Sequence, residues 1–199
     1  APSHVSGVMS GVMIKMGIYG ILRVLTYIHH DLFYIGLFIL IISLISGLIG
    51  VSMAIVQHDV KKLLAYHSIE NIGIIGIGIG LGTIGLAENI PLLTALGFGG
   101  GILHILNHSL FKSLLFYTAG SVYQQTHTRN IEQLGGLIKK MPKTAIFFLL
   151  GALAISGLPP FNGFISEFLI YSGMFKSLHS ASLFTDIVLL FSFSGLAII

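Results

Sequence analysis

The stretch HILNHSLFKSLLF, His104 to Phe116, places two histidines and a lysine at four-residue spacing in otherwise apolar sequence. On a helix, His104, His108 and Lys112 fall at i, i+4 and i+8 and therefore share one face. Histidines at i and i+4 can ligate zinc, but no carboxylate or third histidine lies near on the same stretch, and HILNH lacks the glutamate of HExxH. No metal is expected. A proton relay suits these groups better, because imidazole titrates near neutrality and an amine in low dielectric releases its proton more readily than in water. The expectation is a single polar stripe turned toward the interior of a bundle.

Two further ionisable groups sit deep in apolar sequence. Lys15 lies midway along VMSGVMIKMGIYGILRV, too far from either end to reach an interface, and a lysine at a membrane centre costs at least about 2.5 kcal/mol on insertion scales. It must face a partner or a wet cavity; a lysine paired only to hold helices together is the plainer alternative. Glu167 stands in GLPPFNGFISEFLIY, where Gly157, Pro159 and Pro160 must interrupt a helix. Interrupted membrane helices mark ion sites in transporters, so Glu167 either exchanges protons with one bulk phase or permanently neutralises a lysine. Arg23 and Lys176, near run ends, read as interfacial anchors. Lys61 and Lys62 open HDVKKLLAYHSIENIG, with His67 and Glu70 following, and Lys62 reads as interfacial. Asp59, Glu88, His29, His30 and Asp186 read as solvated loop or interface groups.

The elements that must hold these side chains follow from composition. Hydrophobic residues make up 54% of the 199 and charged residues only 9%, with a mean hydropathy of +0.95. A soluble domain usually carries about 25% charged residues, so the solvent is lipid. Apolar runs cover residues 5–28, 33–56, 63–87, 98–123, 144–158, 163–174 and 183–199, near the ~20 residues needed to cross a bilayer. They are too long and too uniformly apolar for barrel strands, which makes the class all-α, a polytopic transmembrane helix bundle of about seven helices in one domain. APSHVSGVM, with no basic start and no leading methionine, does not resemble a cleaved signal peptide, and GLAII stops within apolar sequence, so both ends are expected to be cut from something larger.

Composition also excludes functions. The net charge is only +3 and the ten basic residues are scattered, which leaves nucleic acid no electrostatic footprint. Cysteine is absent, which removes thiolate metal sites, iron–sulfur ligation and disulfides. GLGTIG, Gly80 to Gly85, formally matches a dinucleotide fingerprint but lies inside an apolar run with no strand before it. Small-residue spacing at Gly7/Gly11, Gly78/Gly82 and Gly97/Gly101 reads as close helix packing. Asn107-His108-Ser109 is a glycosylation sequon only formally, being inside a helix. The loops QHDVKK and QQTHTRNIEQLGGLIKKMPK carry Lys61, Lys62, Arg129, Lys139, Lys140 and Lys143, whereas HHD and ENIPLL carry no Lys or Arg. Alternation puts the two basic loops on one side, cytoplasmic by the positive-inside rule.

Taken in order, GVMIKMGIYGILR, QHDVKKLLAYHSIENIG, HILNHSLFKSLLFYTAGSV and ALAISGLPPFNGFISEFLI resemble the motifs of the antiporter-like proton-translocating subunits shared by respiratory complex I, Mrp sodium/proton antiporters and membrane-bound hydrogenases. THTRNIEQLGGLIKKMP is most similar to the large antiporter-like subunit of the formate hydrogenlyase group. The resemblance covers nearly the whole chain. It implies a fold of two inverted five-helix repeats, each with a broken helix, of which this chain is the second half. It further implies that Lys15 is a half-channel lysine, Lys61 the lysine of a D-[IV]-K motif, His104, His108 and Lys112 linking groups, and Glu167 the terminal group. Two departures stand out. Residues 33–56 offer only Ser43, Ser46 and Ser52 where relatives often place a bridging Lys or His, so protons would cross there by water; and the glutamate expected to pair with Lys15 lies upstream of residue 1.

The mechanism so implied is electrostatic: a redox reaction in partner subunits changes the pairing of Lys15, which alters proton affinity at Lys112, after which Glu167 exchanges its proton. The resemblance implies that the chain holds no cofactor and carries out no electron transfer itself, that its partners are other membrane and redox subunits, the lipid bilayer and protons, and that its place is a prokaryotic inner membrane. An Mrp-type Na⁺/H⁺ antiporter subunit and a scaffold whose polar stripe only orders helices remain open at this point.

Overall fold

Backbone amides in hydrocarbon must find partners within their own segment, and the apolar runs accordingly fold as helices. The computed structural model describes residues 1–180 and 182–199. The chain is 82% helical, and no strand occurs among the described residues. In chain order the helices are α1 (Ser3–Val8), α2 (Lys15–Leu25), α3 (Leu32–Ile55), α4 (Val60–Ala87), α5 (Pro91–Thr126), α6 (Leu137–Lys140), α7 (Pro142–Ile155), α8 (Asn162–Lys176) and α9 (Leu183–Ile198).

The distribution of side chains is inverted relative to a soluble protein. Lys112 is among the largest fully buried side chains, while Phe38, Ile55, Phe175 and Phe191 lie exposed on the outer surface. α4 is the central element: 83% of its most apolar stretch is buried, against 28% for α3, so α3 turns most of its surface toward lipid or a neighbour. Close approach to α4 depends on glycine. A Cβ on Gly78 would sit 2.9 Å from the Gly101 backbone, and one on Gly97 would sit 2.6 Å from the Gly82 amide nitrogen. The spacing within each run thus becomes a paired interface, Gly78 on Gly101 and Gly82 on Gly97, in which backbone touches backbone.

Three features of the helices matter. The run 5–28 is not one continuous helix: a π turn at Met9–Met13 separates α1 from α2 and ends just before Lys15. π turns widen the ring of backbone hydrogen bonds and occur frequently at functional sites. The run 98–123 extends to a 36-residue helix, because Pro91 fits the first turn and His127 stops it in a left-handed conformation, φ 55°. The apolar stretch after Thr144 leaves helix at Ile155 and re-enters at Asn162, with Gly157 at φ +60° between.

The two basic loops lie on the same side and are knitted together. Val60 donates its amide to Arg129 at 3.1 Å, Ile131 donates to His58 at 2.9 Å, and Asp59 pairs with Asn130 in an isolated bridge. Asp59 is therefore not a free loop carboxylate. Its Oδ1 accepts from the Lys61 and Lys62 amides at 2.8 and 3.1 Å, capping α4, while Oδ2 lies 3.4 Å from Arg129. Asp59→Ala is expected to cost about 1 kcal/mol, read as an earlier thermal unfolding of the detergent-purified protein without loss of helix content.

Candidate functional site

The polar stripe forms on α5 because four-residue spacing holds three side chains in register, and α4 and α8 close over it. His104, His108 and Lys112 each retain 0% exposure. His104 bridges both neighbours: Nε2 lies 3.0 Å from Asn71 Oδ1 on α4 and Nδ1 lies 2.8 Å from Ser166 Oγ on α8. Asn71 spends its amide nitrogen on the His67 carbonyl at 2.7 Å, so its oxygen faces the imidazole and Nε2 must carry the proton. Nδ1 of the neutral ring then accepts from Ser166. Ser166 is also 2.9 Å from the Gly163 carbonyl. A doubly protonated His104 would donate to Ser166 Oγ while the serine hydrogen turns to Gly163, so one hydroxyl rotation accommodates both charge states.

Asn107 ties the same stripe to the helix break. Its Nδ2 donates to the Asn162 carbonyl at 2.7 Å and to Ser166 Oγ at 3.0 Å, and Asn162 Nδ2 donates back to Asn107 Oδ1 at 3.1 Å. The first turn of α8 is thereby fastened to α5. One turn along, His108 packs edge-on against Phe111, ring centroids 5.4 Å apart, and neither of its nitrogens has a hydrogen-bond partner among the described residues. A buried, unpartnered imidazole is costly and uncommon.

Lys112 Nζ donates to the Leu64 carbonyl of α4 at 2.7 Å. Lys15, 8% exposed, turns its ammonium back onto the carbonyl of Ser10 within the π turn. Lys15 lies within Coulombic reach of both histidines and of Lys112. Glu167 is half-buried and its carboxylate rests against Gly157, where a side chain in place of the glycine hydrogen would collide with it. Pro159 and Pro160 lie in a turn just after Gly157. Lys61 is not brought to the stripe: its ammonium lies 3.2 Å from the Ala1 carbonyl and 5.6 Å from the ring centre of Tyr123 on α5.

The family model for the transmembrane segment of NADH:quinone oxidoreductase/Mrp antiporter subunits covers residues 1–195. The chain belongs to this family. It is 46% identical over 180 residues to hydrogenase-4 component B of Escherichia coli K12, covering 88% of this chain and 27% of that protein. It is 44% identical over 182 residues to formate hydrogenlyase subunit 3 of the same organism, covering 92% and 30% respectively. The chain therefore spans less than a third of these relatives' length. Among solved structures, a chain of the membrane-bound sulfane sulfur reductase, an archaeal respiratory membrane complex, superposes over the whole chain with a TM-score of 0.79 and 26% identity, the match covering 38% of that chain. The protein is an antiporter-like integral membrane protein.

In this antiporter-like chain several polar residues escape a reading of the sequence alone. Glu70, 7% exposed, pairs with His67 Nδ1 one turn away and lies within Coulombic reach of both Lys112 and Glu167. It is a carboxylate of this chain itself within Coulombic reach of Lys112. Its signal was present, an acidic residue inside an apolar run. Asn71, Asn107 and Ser166 carried no such signal, because single amides and hydroxyls recur on most helices and only assembly gives them partners. Metal ligation has little room at His104, both of whose nitrogens are already engaged.

Proposed function

We propose that this chain moves protons across a prokaryotic inner membrane through Lys15, His104, His108, Lys112 and Glu167, as one subunit of a redox-driven complex of the hydrogenase or NADH:quinone oxidoreductase type. The observation that supports the reading best is the complete burial of His104, His108 and Lys112 on one helix face between α4 and the broken helix. Ionisable side chains inside a membrane bundle are expensive and are retained for transport far more often than for packing. His104 can hold or release a proton at the turn of one serine hydroxyl. Lys112 and His108 lie one helical turn apart, so a proton reaching the lysine is adjacent to an imidazole with both nitrogens open. Lys15 supplies a charge whose pairing tunes the others, and Glu167 is the exit group, set against the positive-φ glycine of the break rather than inside the stripe. Protons on so closely coupled groups belong to the set as a whole. Electron transfer is assigned to partner subunits, and Lys61, half-buried beside Ala1 and Tyr123, stands apart from the stripe.

The test is Glu167→Gln in the complete complex. The amide keeps shape and loses the titratable proton, so proton uptake into inverted vesicles should fall on the order of a hundredfold, with assembly on native gels unchanged. Loss of the complex from the membrane would make Glu167 a static partner for a lysine. Uptake that persists and requires Na⁺ would identify a Na⁺/H⁺ exchanger instead.

A further inference from the structure

Ser10 and Ser68 take no part in the relay as described, yet they are the polar groups that join its two lysines. The π turn holds Ser10 so that its carbonyl receives the Lys15 ammonium while its hydroxyl meets the Ser68 hydroxyl across the α4 interface. Ser68, 6% exposed, donates to the Leu64 carbonyl at 3.0 Å. That same oxygen accepts from Lys112 Nζ at 2.7 Å. Donor counting orients the pair: Ser68 has one hydrogen and spends it on Leu64, so Ser10 must donate to Ser68. Ser68 Oγ and Lys112 Nζ, sharing one carbonyl, stand close enough for a single water molecule to span them. A cleft of about 700 Å³ reaches Ser10 and Ser68 and is lined at its loop end by Asp59, Lys61, Lys62 and Arg129.

We propose that the Ser10–Ser68 hydroxyl pair carries protons between this cleft and Lys112, with Lys15 fixed beside it as the controlling charge. In one transfer a proton arriving from water bonds to Ser10 Oγ while the hydrogen of Ser10 passes to Ser68 Oγ. The hydrogen of Ser68 turns from the Leu64 carbonyl to a bridging water and passes through it to the neutral amine of Lys112. Each serine ends as it began, with one hydrogen, and the amine becomes an ammonium. The assignment also gives the basic residue cluster a use: Lys61, outside the stripe, stands at the entrance to the cleft, where with Asp59, Lys62 and Arg129 it sets the field a proton crosses.

The inference rests on the proposed proton function, and its test separates the two. In the complete complex, Ser10→Ala, Ser68→Ala, the double variant, Ser68→Thr and Lys112→Met are compared for protons moved per electron transferred, with electron-transfer rate and assembly measured alongside. Either alanine is expected to lower that ratio by about tenfold, since each removes one link of the wire. The double variant should lose no more than a single one, as two members of one path are not additive. Ser68→Thr, which keeps the hydroxyl, should restore at least half of the ratio; a role confined to packing would predict instead that threonine is the worse variant in this buried contact. Normal pumping by both alanine variants while Lys112→Met is inactive overturns the serine wire and leaves the relay standing. Normal pumping by Lys112→Met overturns the relay itself. Should Ser68→Ala fail to assemble, Ser10→Ala at its half-buried position decides the matter on the same ratio.

Discussion

Replacing Lys112 by methionine is expected to abolish most redox-driven proton translocation while the complex still assembles, and replacing it by arginine is expected to abolish it as well. The paired outcome follows from two separate properties of the side chain. Methionine fills similar apolar volume and removes a fully buried cation whose only hydrogen-bond partner among the described residues is the Leu64 carbonyl, so stability should hold or rise. Arginine keeps positive charge at every accessible pH, so it can supply a field but cannot load and unload a proton. A lysine retained only as a structural cation predicts the reverse order, arginine tolerated and methionine damaging to assembly. The measurement is proton uptake by inverted vesicles or proteoliposomes holding the whole complex, with electron-transfer rate and a native gel on the same preparation. Normal pumping by the arginine variant would return Lys112 to a scaffold role.

Gly97→Leu is expected to remove the protein from the membrane, whereas Gly99→Leu, two residues away on the same helix, should leave it there. A Cβ at Gly97 would stand 2.6 Å from the backbone nitrogen of Gly82 and 2.9 Å from the Gly78 carbonyl oxygen, whereas a Cβ at Gly99 meets nothing within 4 Å. Overpacking a core costs about 1–3 kcal/mol when side chains can shift. Here the obstacle is backbone on both sides, which has no rotamer to change, so α4 and α5 must separate. Since His104 bonds to Asn71 and Lys112 to Leu64 across that interface, separation would also dismantle the stripe. Membrane-fraction immunoblotting and size-exclusion profiles of the two variants compare them directly; equal abundance would refute the paired-glycine interface.

What the sequence determined by itself was local and periodic. Residues four apart on a helix share a face whatever surrounds them, so the stripe of His104, His108 and Lys112 was legible, as were the glycine rows and the interruption at Gly157, Pro159 and Pro160. The lack of charge required lipid, and lipid required helices. The placing of both basic loops on one side followed from counting crossings. Which neighbour each group meets was a different matter, decided by how helices rotate and cross over separations of 33 to 62 residues. That decision gave His104 its partners Asn71 and Ser166, gave Lys112 a backbone carbonyl on α4, brought Glu70 within Coulombic reach of Lys112, and set Lys61 apart from the stripe, beside Ala1 and Tyr123. The π turn before Lys15 was equally hidden, because one extra residue in a helical ring changes no composition and no apolar pattern. It shifts the registry of a carbonyl and a hydroxyl, and only packing against Ser68 shows what that shift accomplishes. Spacing follows from the geometry of one helix; partnership follows from the free energy of several helices burying their polar atoms together.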